Sequence, residues 1–194
     1  MKGTMKVAVM NGIGQIGYTN RDIPQPKDNE VLVKLEYVGI CGSDMHYYET
    51  GRIGDYVVEP PFVLGHEPGG TVVEVGKNVK HLKVGDRVAL EPGKTCGHCE
   101  YCREGKYNLC PDVVFFATPP VDGVFQEYVA SRSRSLLQIA RKCLYFGRCI
   151  DRTLGCRLSC SQSRECTCRT NSPCFRCRLY RIGIHDGFEG RRCV

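Results

Sequence analysis

Four cysteines lie close together in the segment CGHCEYCREGKYNLC: Cys96, Cys99, Cys102 and Cys110. Their spacing allows four thiolates to surround one tetrahedral ion, which is typical of a closed structural zinc site that leaves no position for substrate. An iron–sulfur cluster and four unligated thiols in a reducing compartment are the alternatives. His98 lies inside this loop and could compete as a ligand. Because four cysteines already complete the tetrahedron, we predict that His98 faces solvent.

A second set of metal-ligating residue types is divided between two glycine-flanked motifs. Cys41 lies in GICGSD, whereas His66 and Glu67 lie in GHEPGG. Sulfur, nitrogen and carboxylate ligands that leave one position open are the composition of a catalytic zinc site. Composition alone explains an isolated cysteine equally well as a small buried hydrophobe. It also explains His66 and Glu67 as polar residues of the surface. It explains Ser43, Asp44 and His46 as the ordinary polar residues of a turn.

A glycine-rich segment near the start, NGIGQIG, places Gly12, Gly14 and Gly17 in the order G-x-G-x-x-G. This order is the dinucleotide-binding fingerprint, which must open a helix. Residues 18–26 (YTNRDIPQP) contain β-branched residues and two prolines, which disfavour a helix. We therefore predict a hairpin turn here and not a phosphate-binding loop.

The elements that must position these residues are predicted to be short strands. Residues 6–10, 31–38, 71–75 and 86–90 are rich in β-branched residues and are bounded by Gly, Pro, Asn or Asp. Little helix is expected. The pattern favours an antiparallel, barrel-like or sandwich-like domain.

The overall composition indicates a globular protein, but charge and cysteine are unevenly distributed. The 194 residues are 42% hydrophobic and 25% charged, with a mean hydropathy of −0.27 and no apolar run that could span a bilayer. Without a secretory signal, a cytoplasmic location with reduced thiols is expected. Residues 1–130 contain 13 basic and 17 acidic residues, against 14 and 4 in residues 131–194. We predict a domain at 1–130 and a disordered or poorly packed Arg/Cys-rich tail at 131–194.

Beyond single motifs, a long ordered series of segments resembles a known family. GICGSDMHYY is followed by GRIGDY, VLGHEPGGTVVEVG, HLKVGDRVALEPG, the four-cysteine loop and YNLCPDVVFFATPPVDGVFQEYV. Together they resemble the GroES-like catalytic domain of zinc-dependent medium-chain dehydrogenases, and most closely the sorbitol/xylitol (polyol) dehydrogenases. The resemblance implies a mainly β, partly open barrel with a zinc-binding lobe. It also implies a catalytic zinc at Cys41, His66 and Glu67, and a structural zinc at the four cysteines.

The implied activity is oxidation of a polyol such as xylitol or sorbitol to a ketose with NAD. Zinc in such a site lowers the pKa of a bound alcohol, so that hydride can leave for nicotinamide. Ser43 matches the hydroxyl that relays the alcohol proton. The positions that match the polyol pocket are Tyr47, Ile53, Tyr56 and Thr118. The expected partner is a small-molecule substrate, with no membrane and no nucleic acid; the family forms homo-oligomers.

The resemblance ends at Ala130, and the Rossmann domain that the family uses for its cofactor is missing from the residues that follow. Read one base later, synonymous codons for residues 138–160 can encode KLPENVSTLEGALIEPLAVGFHA. Those for residues 172–184 can encode ALVFGAGCIGLV, which contains the missing glycine fingerprint. We interpret residues 131–194 as a frame-shifted product, and we expect the chain as written to be inactive.

A non-enzymatic protein is the alternative to this interpretation. The chain would then be a truncated zinc-binding module, or a zinc protein whose basic arm binds nucleic acid. The 13 arginines of the tail could neutralise phosphates, and further metal ligands could come from Cys166, Cys168, Cys174 and Cys177.

Overall fold

The computed structural model describes residues 1–139; residues 140–194, which hold most of the predicted tail, lie outside the described part. Most of the described elements are strands, as predicted. In chain order they are β1 (Thr4–Gly12), β2 (Gln15–Asp22), β3 (Glu30–Gly39), α1 (Gly42–Thr50), β4 (Arg52–Ile53), β5 (Tyr56–Val57), β6 (Glu67–Val75), β7 (Arg87–Leu90), β8 (Gly93–Lys94), α2 (Glu100–Arg103), β9 (Val114–Phe115), β10 (Tyr128–Arg132) and β11 (Leu136–Gln138). The 3₁₀ turns Tyr107–Leu109 and Ser133–Ser135 complete the set.

The main sheet has five antiparallel strands in the order β10-β3-β6-β7-β11. The two outer strands, β10 and β11, are not paired with each other, so the sheet in residues 1–139 stays open. This confirms the prediction of a mainly β, partly open architecture. Each of the four strands predicted from the sequence lies within, or within one residue of, an observed strand.

Strand β3 is the centre of the core because both of its faces are covered. Val31 and Val33 point to one face, where they pack with Val72, Val88 and other residues of the main sheet. The intervening Leu32 points to the other face and packs against a second cluster that includes Met5, Val7, Val9 and Ile23. All three β3 residues are fully buried. A strand covered on both faces is expected to be apolar at successive positions, which explains its incomplete alternation.

The glycine-rich segment near the start forms the predicted hairpin. Strands β1 and β2 pair antiparallel, with Gly12 opposite Gln15 across the turn. The hairpin tip contacts helix α1, since Gly14 N donates to Tyr48 O at 2.8 Å and Tyr48 Oη donates to Gly14 O at 2.8 Å. The three glycines therefore open no helix. The segment thus lacks the strand-to-helix turn that the dinucleotide fingerprint requires.

Helix α1 was not predicted from the sequence, in which its polar residues were interpreted as a turn. Its first turn is closed by a capping box in which the Asp44 side chain accepts from the backbone N–H of the N-cap residue, Cys41. Only Asp44 and Tyr47 of this helix are buried, so it has no apolar stripe that a periodicity search could detect. Within residues 1–139, no helix is long and apolar enough to cross a membrane.

The main sheet continues past the predicted domain boundary at Ala130. Ala130 lies inside β10, which pairs with β3 as far as Arg132, and β11 pairs with β7. Ser131 is fully buried and Leu136 belongs to the main core. Residues 131–138 are therefore part of this fold. The change in charge at residue 131 misplaced the boundary because outer strands can carry arginine on their exposed side.

Candidate metal centres

The four cysteines of the loop converge as their spacing predicts. Within residues 1–139, their sulfur atoms form one group in which every pair lies within 4.8 Å, and all four thiols are free of disulfides. The loop around α2 and the first 3₁₀ turn brings them together. We call residues 93–115, which run from β8 through this loop to the end of β9, the cysteine lobe.

Backbone N–H groups prepare Cys96 to act as a thiolate. His98 N and Cys99 N donate to Cys96 Sγ at 3.5 and 3.3 Å. These hydrogen bonds from His98 and Cys99 lower the pKa of Cys96 to about 6. Four clustered thiols fit the donor set of a tetrahedral zinc ion, and the backbone hydrogen bonds favour the thiolate form of Cys96.

His98 is exposed, as predicted, but it also belongs to a second ligand group. Ligand atoms of Cys96, His98 and Asp112 all lie within 4.8 Å of one another. The Nδ1 atom of His98 lies 3.3 Å from the carbonyl oxygen of Cys96. His98 is therefore within reach of the loop's metal position without being needed to complete a tetrahedron.

The second predicted set, Cys41, His66 and Glu67, also converges. Their ligand atoms lie within 4.8 Å of one another, and all three residues are partly exposed. Cys41 lies between the end of β3 and the start of α1, whereas Glu67 opens β6 opposite Gly39 of β3. The β3–β6 register therefore brings together residues that are far apart in the sequence. A sulfur, an imidazole nitrogen and a carboxylate fit a zinc ion with one position left for another ligand.

Asp44 holds the residues of this second set in place. It is 3% exposed; its Oδ2 accepts from Cys41 N and its Oδ1 from Gly65 N, both at 2.9 Å. The same Oδ1 lies 3.5 Å from His66 Nδ1. Because Nδ1 faces this carboxylate, Nε2 is the nitrogen left for a metal. From the sequence, Asp44 was interpreted as an ordinary polar residue of a turn. The signal that could have identified its role is a carboxylate at the third position of a capped helix.

The side chains around Cys41 and His66 shift the pKa values of both residues. Burial lowers the pKa of His66, but the hydrogen bond and negative charge of Asp44, together with Cys41, raise it to about 9. For Cys41, burial raises the thiol pKa, whereas hydrogen bonds from Ser43 and the nearby His66 lower it by more. Ser43 is thus within hydrogen-bonding reach of Cys41, on the first turn of α1.

Three of the four predicted pocket residues lie in one neighbourhood. Tyr47 of α1 is buried in a cluster that Ile53 of β4 also contacts, and Ile53 pairs with the exposed Tyr56 of β5. Burial and the proximity of Tyr56 raise the pKa of Tyr47. Thr118 lies on a turn after β9, where it pairs with Val121.

Phe115, which was not identified from the sequence, also lies next to His66 of the second set. Its ring centroid lies 5.8 Å from that of His66, with the planes tilted by 51°. It lies at the end of β9, so the cysteine lobe places an aromatic ring beside His66. A pair of adjacent phenylalanines before ATPP was the only hint in the sequence.

Comparison with known proteins places this arrangement in a family. The family model described as the alcohol dehydrogenase GroES-like domain matches residues 27–141, more than half of the chain. The chain belongs to this family. The match runs past Ala130, in agreement with the continued main sheet.

Individual relatives of this GroES-like domain include enzymes named for polyols and ketoses. Sorbitol dehydrogenase from Bacillus subtilis (strain 168) is 59% identical over 128 residues, which is 66% of this chain and 36% of that protein. A protein of Arthroderma otae named "Probable D-xylulose reductase A" is 55% identical over 121 residues, 62% of this chain and 34% of its own length. The chain thus spans about a third of the length of these curated relatives.

Among solved structures, an alcohol dehydrogenase from E. coli CFT073, described as complexed with cofactor NADH, resembles the GroES-like domain. It superposes with a TM-score of 0.62 and 36% sequence identity, over 71% of this chain and 39% of that one.

Proposed function

We propose that this chain carries the zinc-binding catalytic part of a polyol dehydrogenase that oxidises xylitol or sorbitol to a ketose. The observation that carries the proposal is the convergence of Cys41, His66 and Glu67 on one point, with Asp44 holding the backbone of the first and the ring of the second. The names of the relatives, sorbitol dehydrogenase and D-xylulose reductase, support the substrate class.

In such a site, different residues of the chain orient the metal ligands and transfer the substrate proton. The chemistry that a bound zinc ion supplies is Lewis acidity, which lowers the pKa of a substrate hydroxyl. Asp44 orients His66 through Nδ1 and fixes Cys41 through its backbone N–H. In this proposal Ser43 accepts the hydroxyl proton and passes it towards solvent, a role that its partly exposed position allows.

The substrate side of the proposal uses Tyr47, Ile53, Tyr56 and Thr118 as pocket residues. The contacts among the first three support a common wall next to α1. Tyrosine and threonine hydroxyls suit a polyol because each can donate and accept a hydrogen bond. Thr118 remains a prediction from the resemblance.

NAD is the proposed hydride acceptor. The solved relative described with NADH supports the cofactor class. Hydride transfer needs a nucleotide site, and in residues 1–139 the one glycine fingerprint is a hairpin. We also predict that the 194-residue chain alone is inactive, and the alternative is a basic arm that binds nucleic acid. Both depend mainly on residues 140–194, which lie outside the described part.

Metal content is the first test of the two-site proposal. The 194-residue chain is expected to bind two zinc ions, one at the cysteine lobe and one at Cys41, His66 and Glu67. We call these three residues the Cys41 site. In atomic absorption measurements, Cys99→Ser should lose one ion and Cys41→Ser the other. His98→Ala, the matched control inside the lobe, should keep both. A loss of zinc in His98→Ala would contradict the four-cysteine assignment.

Substrate class is tested without relying on turnover. With cobalt(II) in place of zinc, xylitol and sorbitol should shift the visible absorption of the Cys41 site, while 1,5-pentanediol, which lacks adjacent hydroxyls, should not. The shift should be absent from Cys41→Ser and present in Cys99→Ser. Equal responses to polyols and to 1,5-pentanediol would reject the polyol assignment. A titration with NAD, and one with DNA at two salt concentrations, checks the predictions for the rest of the chain.

A further inference from the structure

Two arginines from the end of the main sheet reach back to the cysteine lobe. Arg134 Nη2 donates to Thr95 O at 2.6 Å and to Cys96 O at 3.1 Å. Arg132 Nη1 donates to the same Thr95 oxygen at 3.2 Å. Both arginines lie beyond Ala130, in residues whose charge the sequence analysis assigned to the tail. Their hydrogen bonds join the lobe's first turn to the end of β10 and to the segment that follows it.

Arg134 also lies directly against Gly97. A Cβ atom built on Gly97 would overlap the guanidinium, and the φ angle of Gly97 is +82°, a region that favours glycine. The N–H groups that follow Gly97, those of His98 and Cys99, are the ones that donate to Cys96 Sγ. The turn that Arg134 contacts is therefore the turn that positions the Cys96 sulfur.

The segment that carries Arg134 is itself fixed to the main sheet. Ser133 N donates to Asn29 O at 3.0 Å, and Ser135 O accepts from Glu91 N at 2.8 Å. Immediately after it, Leu136 pairs with Leu90 in the ladder between β11 and β7. The guanidinium therefore extends from a backbone held on both sides.

Within residues 1–139, buried side chains contribute little to the lobe's first turns. Helix α2 and the 3₁₀ turn Tyr107–Leu109 contain no buried residue. Among the four cysteines, only Cys110 is buried. Without an apolar core of its own, the lobe depends on its metal and on polar contacts for a fixed geometry.

We propose that Arg134 is a positioning residue of the four-cysteine metal site, holding the turn at residues 95–97 in place and slowing the release of the metal. This inference rests on the proposed function, which assigns zinc to the lobe. Arg132 contributes less because it makes a single and longer hydrogen bond. Arg134 touches no substrate group and acts through Cys96.

The test follows metal release from the 194-residue chain loaded with cobalt(II). Cobalt bound by thiolates absorbs strongly in the near ultraviolet, and its decay in excess EDTA is followed separately for each site. A Cys41→Ser background reports on the lobe, and a Cys99→Ser background reports on the Cys41 site. We expect Arg134→Ala to release cobalt about fivefold faster, the effect of losing roughly one hydrogen bond of ordinary net strength. Arg134→Lys should recover part of the difference because it keeps the charge but loses the planar fork. Arg103→Ala, which removes an exposed arginine of α2, is the matched control and should match the unmodified chain.

The outcomes separate this inference from the metal assignment. Equal release rates for Arg134→Ala and Arg103→Ala would overturn the role of Arg134 alone. Equal acceleration at the Cys41 site, with a lower melting temperature, would also overturn it, because the effect would then be general unfolding. If Arg134→Ala fails to fold, Arg134→Gln and Arg134→Lys carry the same comparison. If the unmodified chain lacks four-thiolate absorption, the proposed metal centre fails, and this inference fails with it.

Discussion

At the scale of single residues, the site formed by Cys41, His66 and Glu67 depends on a carboxylate that is not one of its proposed ligands. Asp44 accepts hydrogen bonds from two backbone N–H groups and faces the His66 ring. A buried carboxylate is costly unless its oxygens are satisfied, and here both are. The same contacts that make Asp44 tolerable in the interior fix Cys41 and His66 relative to each other.

Replacing Asp44 by asparagine tests this arrangement. The amide has one carbonyl oxygen where the carboxylate has two, so one of the N–H groups of Cys41 and Gly65 loses its acceptor. We expect zinc affinity at the Cys41 site to fall about tenfold to a hundredfold, as for other residues that orient metal ligands. Competition with a chromophoric chelator measures the change.

The exposed Asp55 gives the control for this substitution. Asp55→Asn removes the same charge near the far end of α1 and should leave zinc affinity unchanged. If the two variants bind zinc equally well, Asp44 does not orient the site. Affinity at the cysteine lobe should stay constant in both.

At the scale of elements, the register between β3 and β6 decides which residues meet. Gly39 lies opposite Glu67, and the chain leaves β3 two residues before Cys41. A Cβ atom at Gly39 would overlap Glu67 Oε2 and crowd its Cβ. Glycine at this position leaves room for the Glu67 carboxylate beside the strand.

Gly39→Ala is therefore expected to weaken zinc binding at the Cys41 site, because the Glu67 carboxylate must move away from the added methyl group. Zinc titration measures this effect, and urea unfolding checks that the domain stays folded. Gly42→Ala is the matched control, because nothing lies within 4 Å of a Cβ at Gly42. Wild-type zinc affinity in Gly39→Ala would show that the Glu67 carboxylate needs no such space.

At the scale of the described fold, two parts have different sources of stability. The main sheet is held by a buried apolar core on both faces of β3. The cysteine lobe contributes few buried side chains, and its cysteines face one another. Hydrophobic burial stabilises the sheet without metal, whereas under the two-site proposal the lobe depends on metal binding for its ordering.

Chelation should separate these two parts. After zinc is removed with EDTA, amides of β3 and β6 are expected to keep their protection from hydrogen exchange, while amides of α2 and its flanking turns lose theirs. Cys99→Ser should give the same pattern without a chelator. Undiminished protection of the lobe after complete zinc removal would contradict a metal-dependent lobe.

The sequence by itself determined the features that depend on local pattern. Alternating and β-branched residues predicted four of the strands, the prolines after Gly17 excluded a phosphate-binding helix, and the spacing of Cys96 to Cys110 predicted their convergence. These succeed because strand alternation, turn chemistry and short metal-ligand loops involve residues close together in the chain.

Only the tertiary structure decided what lies between distant segments. The meeting of Cys41 with His66 follows from the β3–β6 register, and the approach of Phe115 to His66 from the placement of the lobe. Arg134 was assigned to a tail, yet it contacts the lobe because β11 pairs with β7. Composition sums residues along the chain, whereas burial and hydrogen bonding depend on which strands become neighbours, and that choice is made by the packing of the whole core.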